Sequence, residues 1–185
     1  QAGEAAVVIT LASKFSGTYQ SAVIAAADYE NIYVVDGTSA AMGTGILVEL
    51  ALRLLDAGAS AEEIARTLEE EKKKIVIVAL VDTLEYLKRG GRVSKTAAFA
   101  GGVLNIKPVL SVTDGEIHLL GKARGSKMGN NLLIQEIDKA GGIDFSKPVL
   151  LGYSGLSDAL LLKYIEDSRH IWEDNLKEVR YTTVG

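Results

Sequence analysis

Val7-Val8-Ile9-Thr10, followed after a short stretch by Ser16-Gly17-Thr18-Tyr19-Gln20-Ser21, is the segment on which the fold turns. An unbroken apolar run that ends in small hydroxyl residues and gives way to a helical pattern reads as a strand buried on both faces, with a crossover helix behind it. The arrangement recurs twice: Ile32 to Val35 leads to Asp36-Gly37-Thr38, and Ile75 to Leu80 leads to Asp82-Thr83. Three such runs alternating with helices predict a doubly wound, mostly parallel α/β lobe over residues 1–90.

The intervening helices carry their own signatures. From Gly45 to Asp56 the polar residues Glu49, Arg53 and Asp56 fall on one narrow stripe, which predicts a mostly buried helix. Ser60 and Glu63 form a capping box ahead of Ile64, Ala65 and Leu68. Glu69 and Glu70 are spaced to pair with Lys73 and Lys74 four residues on. Asp82 with Glu85 reads as a second capping box.

After Gly91 the pattern changes. Leu104 to Thr113 and Glu116 to Ala123 flank Asp114-Gly115, a strong hairpin signal. Helices near Lys127 to Ala140 and Leu156 to Ile171 then alternate with strands at Pro148 to Tyr153 and Glu178 to Val184. This is a second, mixed α/β lobe over residues 91–185 that starts with a β-hairpin. A strand pattern at each extreme of the chain is what an internal piece lacking both terminal parts would show.

Composition narrows the function classes. Of 185 residues, 48% are apolar, 24% are charged and two are proline, the balance of a packed globular protein rather than a disordered one. Without cysteine there is no disulfide framework, thiolate metal site or cysteine nucleophile, which fits a reducing cytosolic setting. No apolar run approaches the roughly 20 residues of a membrane span.

Ligands of open parallel sheets sit beyond the carboxyl ends of the strands. A helix starting near Thr18 aims free N–H groups and its positive dipole end there, and Ser16, Gly17 and Thr18 suit a carboxylate or phosphate. The same residues would also serve simply as a helix cap. Gly37 to Gly45 is glycine-rich but is neither a Walker A loop nor a dinucleotide fingerprint. Asp36 lacks a second carboxylate beside it and reads as a turn residue.

Thr96 to Ile106 is apolar and small-chained, consistent with a ligand pocket or with tight packing. From Lys88 to Lys127 eight Lys or Arg face two acids on a chain of net charge −4. This basic patch, including Arg89, Arg92, Lys122, Arg124 and Lys127, suggests an anionic partner, with Lys95 and Lys107 as ordinary solvated lysines. Nucleic acid is disfavoured by the single aromatic, Phe99, within the patch and by a pI near 5.3. His118 and His170 have no nucleophile placed beside them and read as surface or core residues; Trp172 reads as core.

Three segments together resemble the DegV family of bacterial fatty-acid-binding proteins: Ser13 to Ala22, Asp82 to Ser94 with Lys88-Arg89-Gly90-Gly91-Arg92 at its centre, and Leu104-Asn105-Ile106-Lys107-Pro108. The resemblance implies two α/β lobes clamping a long acyl chain such as palmitate or stearate, with no cofactor and no catalytic residue. It implies Ser16 as a carboxylate ligand, with Phe99, Val103, Leu104 and Ile106 along the tail. It further implies a role as carrier subunit for a separate ATP-binding fatty-acid kinase, with Arg92 and Lys122 to Lys127 turned to that partner or to the acyl phosphate. The family's early Thr-Ser-Gln-Pro and late Gly-x-His-x-Gly-Pro-Gly motifs fall outside residues 1–185. The competing expectation is a subunit of a dihydroxyacetone-kinase-like phosphotransferase.

Overall fold

The computed structural model describes residues 4–92 and 106–184; Phe99, Val103, Leu104 and Lys95 lie outside them. The protein is α/β, with parallel and antiparallel sheets in two compact units, Gln1–Ile75 and Val76–Gly185.

In the first unit, strands β1 (Ala6–Thr10) and β2 (Ile32–Asp36) pair in parallel, in register from Ala6 opposite Ile32 to Thr10 opposite Asp36. Helix α1 (Thr18–Ala26) connects them, and α2 (Met42–Asp56) and α3 (Ala61–Glu71) follow. Alternation sends Val7, Ile9, Tyr33 and Val35 to one face, where they pack with Leu47, Ile64, Ala65 and Leu68. The Ser60–Glu63 capping box is present in both directions.

Two local expectations change. Helix α2 is not mostly buried: Leu47 is, but Val48, Leu52 and Leu55 are exposed beside the polar stripe. One sheet face offers core to only one side of a helix, however apolar the rest of it is. The expected four-residue ion pairs are instead Glu69–Lys72 at 2.6 Å and Glu71–Lys74 at 2.8 Å. The chain tightens into a 3₁₀ turn at Lys72–Lys74, and three residues per turn bring i and i+3 together.

The second unit opens with β3 (Ile77–Leu80), the third apolar run, which pairs antiparallel with β4 (Ile106–Thr113) instead of forming part of a parallel sheet. An apolar run reports burial on both faces but not strand direction, so the unit boundary falls before β3 and not after Gly90. The hairpin from β4 to β5 (Glu116–Arg124) forms as expected, with Asp114 and Gly115 both at positive φ, 50° and 69°, as a type I′ turn demands. Helix α4 (Glu85–Arg89) follows β3, and α5 (Gly125–Lys139) packs on the three-stranded sheet, with Gly129 against Leu80.

Strands β6 (Leu150–Tyr153) and β7 (Arg180–Thr183) form a second parallel pair. The long helix expected between them is broken into α6 (Ala159–Asp167) and α7 (Arg169–Trp172). At the break, buried Ser168 donates its hydroxyl to Tyr164 O at 2.5 Å and accepts from Trp172 Nε1 at 2.9 Å. Trp172 is core, edge-on to Phe145 and Tyr164, whereas His118 and His170 are exposed. Among the described residues no helix is long and apolar enough to cross a membrane.

Candidate functional site

Because β1 and β2 are parallel and in register, their carboxyl ends, Thr10 and Asp36, stand side by side and throw both following loops to the same edge. Those loops are joined to each other. Gly37 N–H donates to Thr10 O at 3.0 Å, and Ala12 N–H donates to Ser39 O at 2.6 Å. A side chain at 37 could not fit, since its Cβ would lie 2.4 Å from Thr10 O. Thr10 is itself buried, its hydroxyl directed to Leu11 O at 3.0 Å and Val35 O at 3.4 Å.

Asp36 is the hub of this edge. One carboxylate oxygen, Oδ1, accepts Ser13 N–H at 3.1 Å from the first loop and Thr38 N–H at 3.0 Å from the second. Lys72 Nζ donates to its carbonyl at 3.0 Å. Burial pushes the Asp36 carboxyl up, but the hydrogen bonds from Ser13 and Thr38 and the charge of Lys72 outweigh it and hold the group below its ordinary 3.8. In the sequence Asp36 reads as a turn residue. It does close a turn, through Thr38, but its reach across 23 positions to Ser13 was not visible in local spacing; the Asp-Gly pair directly after a buried strand was the available signal.

Ser16 and Thr18 come together at the start of α1. Their hydroxyl oxygens are 2.7 Å apart, and Thr18 N–H donates to Ser16 Oγ at 3.3 Å. Ser16 N–H and Phe15 N–H both donate to the carbonyl of Ala12, which is fully buried. Gly17 is the N-cap of α1 and has no side chain with which to cap it. The hydroxyl pair therefore stands at the positive end of a helix, where one of the two O–H groups donates to the other and its partner's O–H remains to donate to an anion such as a carboxylate.

The basic residues divide between two places in the second unit. At α4, Arg89 pairs with Glu85 at 2.5 Å, and the Arg92 guanidinium donates to Gly90 O. Asp82 is not the cap partner of Glu85; Thr83 Oγ1 accepts Glu85 N–H at 3.1 Å, and Asp82 pairs instead with Lys107 at 2.6 Å. Lys107 is thus no ordinary solvated lysine, its side chain being only 18% exposed. Lys122 and Arg124 alternate on the exposed face of β5, opposite Pro108 and Ile106, and Lys127 lies in the first turn of α5. A lysine at a helix N-terminus works against the dipole and leaves that end attractive to anions. Among the described residues no group of three or more His, Cys, Asp or Glu could hold a metal ion.

Comparison with known proteins places this geometry in context. The profile of the DegV family, a family of uncharacterised proteins, matches residues 1–183. A DegV domain-containing protein of Caldanaerobacter subterraneus subsp. tengcongensis is 45% identical over 143 residues, 76% of this chain and 51% of its own length. The crystal structure of a DegV family protein from Eubacterium eligens, loaded with heptadecanoic acid, matches with a TM-score of 0.80 and 27% identity, over 97% of this chain and 66% of that one. The Streptococcus pneumoniae fatty acid kinase (Fak) B3 protein, loaded with linoleic acid, matches with a TM-score of 0.76 and 25% identity, over 96% and 63%. The chain spans about half the length of the curated relatives it matches.

Proposed function

The chain belongs to the DegV family, and from that premise we propose that it is a non-catalytic binding protein for a long-chain fatty acid, whose carboxylate it presents to a separate ATP-dependent kinase. The observation that carries this reading is the Ser16–Thr18 hydroxyl pair at the carboxyl edge of a parallel sheet, in a fold whose similar structures hold fatty acids. The kinase half of the proposal draws support from the similarity to the Fak B3 protein.

In this reading Ser16 and Thr18 take the carboxylate with the first-turn amides of α1 around Gly17, and the tail is assigned to Phe99, Val103, Leu104 and Ile106. Arg89, Arg92, Lys122, Arg124 and Lys127 are assigned to the kinase or to the acyl phosphate. The division of labour follows from magnitudes. About fifteen buried methylenes at roughly 0.8 kcal/mol each give a gross gain near 12 kcal/mol, less several kcal/mol of ordering cost. Each hydrogen bond to the carboxylate contributes roughly 1.5–3 kcal/mol. The tail therefore supplies affinity and the head-group contacts supply orientation.

Native mass spectrometry of the purified chain, with organic extraction, tests the ligand class. A co-purified C16 to C18 acid is the expected result; a bound polyol would favour a dihydroxyacetone-kinase-like subunit and overturn the fatty-acid reading. Ser16→Ala should weaken binding of heptadecanoic acid about tenfold by calorimetry. An unchanged affinity would remove Ser16 from the head-group site.

A further inference from the structure

Taking the Ser16–Thr18 pair as the carboxylate site, as proposed above, we propose that Asp36 is its positioning residue: the carboxylate that holds the first strand-end loop in the one conformation that brings the two hydroxyls together.

The argument follows the bonds outward from Asp36. Its Oδ1 takes the amide of Ser13, and the neighbouring amide, of Ala12, is taken by Ser39 O. The Ala12 carbonyl is in turn the acceptor for the amides of Phe15 and Ser16. Ser16 Oγ then takes the Thr18 amide and lies 2.7 Å from Thr18 Oγ1. Each link fixes a peptide plane, so the hydroxyl pair hangs from the end of β2 through the backbone of residues 12–16.

The second loop is tied to the same atom. Thr38 sits at φ 48°, a left-handed conformation that a β-branched residue adopts at a cost, and its amide is bound to Asp36 Oδ1. One oxygen therefore sets two loops, one of them strained, and the strain is held only while that oxygen accepts. Lys72 Nζ donates to the Asp36 carbonyl and so holds the backbone from which this carboxylate projects.

This chemistry makes the conservative variant informative. Both loop amides bond to Oδ1 alone, so Asp36→Asn retains a single carbonyl oxygen able to accept both, whereas Asp36→Ala removes it. The test measures binding of heptadecanoic acid and of methyl heptadecanoate to the full chain and both variants by calorimetry, with amide hydrogen exchange recorded in parallel. The ester keeps the tail but lacks the charged head group.

Asp36→Ala should weaken the acid about tenfold and leave the ester unchanged, with Asp36→Asn within about threefold of wild type for both. Ser13, Ser16 and Thr38 amides should exchange faster in Asp36→Ala, while Val35 and Leu47 keep their protection. If acid and ester weaken together, or if the alanine variant binds the acid as wild type does, Asp36 is structural and the inference fails while the fatty-acid reading stands. If the wild-type chain binds neither ligand, the fatty-acid reading fails. Exchange then decides the positioning role alone, with unchanged protection at Ser16 overturning it.

Discussion

The carboxyl edge of β1 and β2 and the helical core around Trp172 both bury polar groups, and they use them in opposite ways. Around Trp172 the polar atoms form a closed set: the indole N–H is taken by Ser168, the Ser168 hydroxyl is spent on Tyr164 O, and all three residues are buried. Burial pushes the Tyr164 phenol up to about 12, so it stays neutral and part of the packing. At the strand edge the bonds instead run between loop backbones and Asp36. Two non-glycine residues, Thr38 and Ala41, are held at positive φ, and among the described residues the buried Thr44 Oγ1 has no partner. A closed polar set serves packing, whereas an edge that stores strain and leaves a hydroxyl unsatisfied has the properties of a ligand-facing surface.

The largest test of this contrast is Trp172→Ala. It deletes the centre of an edge-to-face aromatic cluster and orphans the Ser168 hydroxyl's role as acceptor, for an expected loss of about 4 kcal/mol in the second unit. Denaturation followed by far-UV circular dichroism reads it, and a loss below about 1 kcal/mol would mean the cluster is not the unit's core. Next comes Gly37→Ala, set against Gly129→Ala. At 37 the new Cβ meets a backbone oxygen at 2.4 Å, and neither strand can yield without parting. At 129 it meets the terminal carbons of Leu80 at 2.5 Å, which another rotamer can relieve while the helix gains about 1 kcal/mol of propensity. The expected losses are about 3 and about 1 kcal/mol, and equal losses would deny the strand edge its special rigidity.

Much of this was legible in the sequence. The capping box at Ser60 and the Asp114-Gly115 hairpin follow from spacings of a few residues, and the parallel pairing of β1 and β2 from the alternation of apolar runs with helices. What was not legible depended on long-range partners. The direction of β3 is set by its neighbour β4, nearly 30 residues on. The break at Ser168 arises because its side chain satisfies Tyr164 O from inside the core, and nothing in the alternation of Leu160 to Ile171 marks it. Asp36 is the same case at the candidate site, since an aspartate after a strand is common and only the folded chain brings Ser13 to it. The narrowing of the expected ligand to a fatty acid comes from the family resemblance, because residue spacing leaves carboxylate and phosphate open.

The sharpest comparison sets one buried hydroxyl against another, because the two effects differ in sign. Ser168→Ala removes the acceptor of a fully buried indole N–H and leaves that donor with no water to replace it, so the second unit should lose about 2 kcal/mol. Thr44→Val also deletes one buried hydroxyl, but a hydroxyl with no partner contributes only its desolvation cost, and valine keeps the β-branched shape. The first unit should therefore gain about 1 kcal/mol. Thermal melts of the two variants, with the single tryptophan reporting only on the second unit, separate the two changes. If Thr44→Val destabilises as Ser168→Ala does, the strand edge is a closed polar set like the helical core, and the contrast between the two regions is lost.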